Sequence, residues 1–187
     1  MDDTVGHKAS MRFSHDLVTR VRDLILERGG AKPPRPDNPI AVVEPPDCTP
    51  ELRAILHRVA PMAEAIFLMV SADGLCDERE HRALRGAIRT LTNDSLDDTT
   101  IDSMLASFGD ALGREGLEER IAYVASQIAA DPADREVTVE LAAATILADG
   151  EASDPERAAL ELLAEEVGAD PDAAVAVLDR GKESCLS

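Results

Sequence analysis

Apolar residues recur with the period of an α-helix along most of the chain. One such stripe runs from Ser14 to about Arg28, and a longer one begins at Thr49-Pro50 and continues to Val70. Threonine before proline is a typical helix start, since the hydroxyl can cap the first turn and proline already has a helical φ. The longer stripe is apolar on most sides near its end, which predicts a helix at the centre of the core.

Later stripes of the same period predict six more helices. Their apolar residues lie within 77–91, 101–113, 117–128, 137–148, 160–167 and 171–178, and the last of these helices is predicted to be short. No segment alternates apolar and polar residues as a half-buried strand would. We therefore predict an all-α fold: a single compact bundle of about seven helices with an internal pseudo-repeat, preceded by an N-terminal helix on a proline-rich linker.

The domain organisation follows from the distribution of proline. Seven prolines lie between residues 33 and 50, and because proline fixes φ and lacks an amide donor, they predict an extended linker. We predict an N-terminal amphipathic helix region over residues 1–28, the linker over 29–50 and a helical domain over 51–181. The first helix would then be a tethered docking element.

Composition narrows the kinds of partner that the protein can bind. The chain has 37 acidic and 19 basic residues, a net charge of −18, and only 2% aromatic residues. Such a protein repels phosphate backbones and anionic lipid, and it has few rings on which bases could stack, so we expect no nucleic-acid binding. A cationic partner or a divalent metal ion suits its charge better.

The sequence also bears on where the protein works. Its longest apolar stretch, about residues 65–72, is far shorter than the ~20 residues that a spanning helix needs, so we predict no membrane insertion. Cys48, Cys76 and Cys185 are widely spaced and odd in number, which favours free thiols in a reducing compartment. The segment MDDTVGHKAS lacks the basic-then-apolar order of a signal peptide. We therefore expect a cytoplasmic protein.

The tripeptide Ala-Asp-Gly occurs twice, at residues 72–74 and 148–150, which are 76 positions apart. An ungapped superposition of residues 62–91 on 138–167 aligns the two copies and also matches several flanking positions. The matched acidic positions are Glu64 with Glu140 and Glu80 with Glu156. A shared break in the middle of a shared helical pattern predicts a repeated helix–loop–helix unit.

Much of this unit has a structural explanation. Both glycines stand where one helix must turn into the next, and glycine adopts a left-handed conformation without a Cβ penalty. Asp77 and Ser153 are predicted N-caps. Glu80 and Glu156, three residues later, would complete capping boxes by accepting from the cap amides.

The turn and the helix caps do not explain the two aspartates, Asp73 and Asp149. Each follows the C-terminal end of a predicted helix, where the helix dipole disfavours an anion by ~0.3–1 kcal/mol. An Asx-turn would explain them; the functional alternative is that pseudo-symmetric packing brings both carboxylates together around a cation. An ordinary calcium-binding EF-hand is excluded, because its first and third oxygen ligands would have to come from Met69 and Ser71 in one copy and from Thr145 and Leu147 in the other, and each copy has an apolar residue at one of these places.

The segments VSADGLCDEREHRALRGAI and ILADGEASDPERAALELLAEEVG resemble the signature of TerB-like domains, found in tellurite-resistance proteins and at the N-terminus of some membrane-anchored co-chaperones. The similarity covers roughly residues 52–180. It implies an all-helical fold, no known enzymatic activity and a role in stress or metal-related complexes. It also implies a divalent ion (Ca, Mg or Mn) held by acidic residues. On this chain those residues are Asp73 and Asp149, with Glu80 and Glu156 as helpers. Leu75-Cys76 departs from the family pattern, since many members are acidic after the first Asp-Gly.

Three functional interpretations are compatible with these patterns. The first is a non-enzymatic TerB-like protein that binds a protein partner, acts in a tellurite-type stress response and holds a divalent cation through its acidic loops. The second is a metal-dependent, hydrolase-like enzyme that uses the Asp-Gly loops. The third is an acidic interaction module in which the repeat is purely architectural. The sequence leaves the partner and the oligomeric state open.

Overall fold

The computed structural model of the protein describes residues 15–28, 45, 48–74, 78–147 and 152–185. Within these residues the chain forms eight α-helices and no strand, which confirms the all-α prediction. The helices are α1 (His15–Arg28), α2 (Pro50–Val70), α3 (Glu78–Leu91), α4 (Asp98–Glu115), α5 (Leu117–Ile128), α6 (Pro132–Leu147), α7 (Asp154–Val167) and α8 (Pro171–Cys185). Helices α2–α8 are the seven expected in the bundle.

The helix ends follow local chemistry that the sequence predicts only in part. Thr49 caps α2 as predicted, its hydroxyl accepting from the Leu52 amide at 3.2 Å. Helix α6 starts five positions earlier than its apolar stripe suggests, because Asp131-Pro132 begins this helix; the Asp131 carboxylate accepts from the Ala133 amide at 2.9 Å. Helix α8 is 15 residues long and is not the short helix expected.

Helix α2 is the centre of the core, as its pattern predicts. Every residue from Val59 to Val70 is buried, and the helix packs against α3, α4, α5, α6 and α7. The core is mostly aliphatic, and the rings of Phe67 on α2 and Phe108 on α4 are 5.9 Å apart. Neither α2 nor any other helix in the described ranges is long and apolar enough to cross a membrane.

The internal repeat extends over four helices rather than two. Helix α3 packs on α2 as α7 packs on α6, and α4 contacts both α2 and α3 as α8 contacts both α6 and α7. Helix α1 packs on α3 and α6, and α5 packs correspondingly on α7 and α2. Helices α2 and α6 contact each other at the centre. The helices of the described residues therefore form a pair of similar four-helix halves, α1–α4 and α5–α8.

The first helix is part of this packing. The side chains of Val18 and Val21 are 3% and 0% exposed and belong to the same core cluster as the rest of the bundle. The structure thus differs from the expectation of a tethered docking element, because Val18 and Val21 of α1 are buried in the bundle and the helix packs on α3. Of the proline-rich linker, residues 29–44, 46 and 47 lie outside the described part of the chain.

Candidate functional site

Asp73, the first of the two predicted site aspartates, lies in the turn that follows α2. Ser71 ends the helix, and the Gly74 amide donates to the Ser71 carbonyl oxygen at 3.0 Å. Gly74 has a φ of +85°, so the predicted left-handed turn at this glycine is present. The side chain of Asp73 is exposed. Residues 75–77, with the predicted cap Asp77, and residues 148–151, with Asp149, lie outside the described residues.

The two predicted glutamates lie in different environments. Glu156 is only 8% exposed and completes the predicted capping box of α7. Its Oε2 accepts from the Ser153 amide at 2.7 Å and from the Ser153 hydroxyl at 2.8 Å. Glu80 is half-buried in the first turn of α3. One carboxylate oxygen of Glu156 is thus committed to the helix start.

A metal site is not assembled by the described residues alone. Within the described ranges, no three histidine, cysteine, aspartate or glutamate side chains come together as metal ligands would. The positions that exclude an EF-hand are part of helices: Met69 is buried in α2, and the Thr145 hydroxyl donates to the Leu141 carbonyl at 2.7 Å within α6. Binding of a cation by Asp73, Asp149, Glu80 and Glu156 stays a prediction.

A buried ion cluster lies between α2 and α5, and the sequence did not single it out. Glu64 is 0% exposed and accepts from the Nε of Arg120 at 2.9 Å. The Nη1 of Arg120 also donates to Glu115 Oε2 at 3.0 Å, and its guanidinium carbon lies 4.4 Å from the ring centre of Tyr123. Burial raises the pKa of the Glu64 carboxyl, while the hydrogen bond and charge of Arg120 act in the opposite direction. The one feature of the sequence that indicates this cluster is the acidic Glu64 inside an apolar run.

A second polar feature is a cavity of about 120 Å³ between α2, α5 and α6. The Nη2 of Arg58 lies 2.6 Å from Asp134 Oδ1 and 3.7 Å from Asp131 Oδ2. Arg58 and Asp134 occupy equivalent positions of the repeat, 76 residues apart, and they meet where α2 and α6 contact each other. The lining residues are His57, Arg58, Pro61, Met62, Gln127, Ile128, Ala130, Asp131 and Asp134.

These features define a class: an all-helical protein of two similar four-helix halves, with an Asp-Gly turn after the second helix of at least the first half. A model of the family described as tellurite resistance protein TerB matches residues 59–178. The chain therefore belongs to the TerB family, and the family resemblance noted in the sequence is confirmed. Comparisons with curated proteins and with solved structures gave no match. The predicted domain limits of 51–181 stay a prediction.

Proposed function

We propose that this TerB-family protein is a non-enzymatic binding protein that engages a protein partner in a tellurite-type stress response. The observation that carries the proposal is the family match over residues 59–178. The net charge of −18 supports a cationic partner.

We further propose that the Asp-Gly loops hold a divalent cation, Ca, Mg or Mn. Asp73 and Asp149 would be the main ligands, and Glu80 and Glu156 would assist them. Hard cations take oxygen ligands, and Asp73 is an exposed residue in the turn that follows α2. Because the cap of α7 already uses one oxygen of Glu156, this residue is the weakest member of the set.

Cation binding is tested in two ways. Ca²⁺, Mg²⁺ and Mn²⁺ are titrated into the full chain in a calorimeter, and thermal unfolding is followed with and without each ion. We expect at least one ion to release or absorb heat and to raise the unfolding temperature. The double variant Asp73→Asn with Asp149→Asn should lose both effects. A control that removes the same charge from exposed helix positions, Asp110→Asn with Asp172→Asn, should keep them. No response to any ion at millimolar concentration would overturn the metal proposal.

The partner and the stress role need experiments in the native organism. We expect affinity purification of the tagged chain to recover a protein that the untagged strain does not yield. Deletion of the gene should lower growth on tellurite, and the wild-type chain should restore it. Unchanged tellurite tolerance after deletion would overturn the stress role, whatever the outcome of the metal titration.

A further inference from the structure

We propose that α1 is a releasable cover over a helix-binding groove between α3 and α6, and that an amphipathic helix of the partner protein takes its place. The partner helix has the pattern of α1, two apolar residues three positions apart with an arginine between them, as in Val18, Arg20 and Val21. This inference rests on the proposed role in partner binding, and it names the site for the partner and the way in which that site is regulated.

The groove already holds an amphipathic helix in the structure. Helix α1 packs on α3, α2 and α6, and its residues Val18 and Val21 are 3% and 0% exposed within the common core cluster. Arg20 lies between them in the sequence and pairs with Glu140 of α6. Such docking of the apolar face of a helix into a groove is a general mode of recognition between proteins. The contacts of α1 therefore define what the groove accepts.

Helix α5 is the equivalent of α1 in the second half of the chain and shows the same mode of docking. With a shift of 100 positions, Arg20 corresponds to Arg120. Each arginine pairs with a glutamate of the other half, Arg20 with Glu140 and Arg120 with Glu64. The residue after each arginine is aliphatic and 0% exposed. Because the contacts correspond, α5 is the internal reference for how firmly α1 is held.

Helix α1 is held less firmly than α5. The side chains of Arg20 and Glu140 are 67% and 51% exposed, whereas those of Arg120 and Glu64 are 9% and 0% exposed. An exposed ion pair contributes little to stability.

The connections of the two helices differ as well. Residues 29–49 separate α1 from α2, whereas α5 follows α4 after Gly116 alone and is joined to α6 by residues 129–131. Helix α5 is thus fixed between two close neighbours along the chain. Release of α1 leaves the direct connections among α2–α8 intact, and an element with few stabilising contacts can open without unfolding of the whole protein.

Two observations favour a basic helix from a partner as the second occupant of the groove. The family match over residues 59–178 includes α5 but not α1, so the cover lies outside the matched region. Release of α1 also removes Arg20 from Glu140 at the edge of the groove, in a protein of net charge −18. A helix that carries a cation at this position is attracted, and an acidic helix is repelled.

The first test measures amide hydrogen exchange of the full chain and needs no partner. We expect protection factors in α1 to be about tenfold or more below those in α5, as for a helix that opens locally. The double variant Val18→Ala with Val21→Ala should lower the protection of α1 by a further factor of about ten, since it removes buried methyl groups, and should leave α5 unchanged. The matched control is Leu26→Ala, at a position of α1 that is 44% exposed, and it should change neither helix.

The second test supplies the helix in trans as a fluorescein-labelled peptide of residues 15–28, with anisotropy followed up to millimolar full-length protein. A tethered segment competes at an effective concentration on the order of a millimolar, so wild type should bind the peptide weakly. The chain with Val18→Ala and Val21→Ala should bind it about tenfold more tightly, because its own α1 no longer fills the groove. The peptide with Arg20→Glu should bind about threefold more weakly than the parent peptide, and the peptide with Leu26→Ala should bind equally well.

Four results would overturn the proposal. They are equal protection of α1 and α5 in wild type, no gain in peptide binding by the weakened chain, equal binding of the Arg20→Glu peptide, and a wild-type dimer in light scattering, which would make a second copy the occupant. All four use only the chain and its own peptide. Failure of the affinity purification or of the tellurite assay is therefore distinguishable from failure of the groove.

Discussion

Replacing Arg120 with methionine should leave a charged carboxylate alone in the core. Glu64 is 0% exposed and the side chain of Arg120 is 9% exposed, so water reaches the pair poorly. Removing one partner of a buried ion pair costs about 3–5 kcal/mol, a large part of the roughly 5–15 kcal/mol by which domains are stable. With an m-value of about 2 kcal/mol per molar urea, the unfolding midpoint should fall by about 2 M.

Two variants make this prediction refutable. Arg20→Met removes the arginine that pairs with Glu140, the repeat equivalent of Glu64; the side chains of Arg20 and Glu140 are 67% and 51% exposed, so we expect a loss of at most about 1 kcal/mol. The double variant Glu64→Met with Arg120→Met should recover much of the lost stability, because apolar packing replaces a buried ion pair well. Urea unfolding followed by far-UV circular dichroism measures all three. A loss in Arg120→Met no larger than in Arg20→Met would refute the reasoning.

The pH dependence of the same variant gives a second check. Burial raises the pKa of Glu64, and Arg120 opposes this rise, so Arg120→Met should raise the pKa of the folded state further. A carboxyl whose pKa is higher in the folded state favours folding below its unfolded pKa and loses that contribution as pH rises through the folded pKa. The gap in stability between wild type and Arg120→Met should therefore be smallest below the ordinary glutamate value of 4.5 and widen with increasing pH. A gap independent of pH would contradict this explanation.

Two further predictions concern the helix–loop–helix unit and are measured by the same unfolding assay. Ser153→Ala should cost about 1 kcal/mol by removing the hydroxyl that caps α7. Ser153→Asn should be nearly neutral, and equal losses in both would mean that the cap is not the cause. Gly74→Ala should cost about 1–2 kcal/mol because its φ is +85°, although a Cβ there would meet no atom within 4 Å. An unchanged stability would show that the turn relaxes to another conformation.

The sequence predicts most of the helices because burial of one helix face imposes a local period. It also predicts caps such as Thr49 and Ser153, since a cap depends on residues three positions away. It misplaces the start of α6, because Asp-Pro is compatible both with a break and with the first turn of a helix. The period thus locates helix centres better than helix ends.

The candidate sites are harder to predict than the helices because their residues meet only through tertiary packing. An isolated Glu64 inside an apolar run indicates that some cation must approach it, but the sequence does not say that this cation is Arg120, 56 residues away. The same applies to Asp134, whose partner Arg58 is 76 residues earlier. The Asp-Gly loops, by contrast, can be recognised in the sequence because their residues are neighbours along the chain.

Identical residues at equivalent positions of the repeat need not contribute equally to stability. Glu64 and Glu140 occupy the same position of the two halves, and each pairs with an arginine from the helix that packs on it, α5 in one case and α1 in the other. Yet Glu64 is 0% exposed and Glu140 is 51% exposed. The strength of an ion pair depends on its access to water. Breaking the buried pair Glu64–Arg120 should therefore lower the stability of the fold far more than breaking the exposed pair Glu140–Arg20. Comparing Arg120→Met with Arg20→Met therefore measures how far the two halves have diverged in energy while keeping the same arrangement of helices.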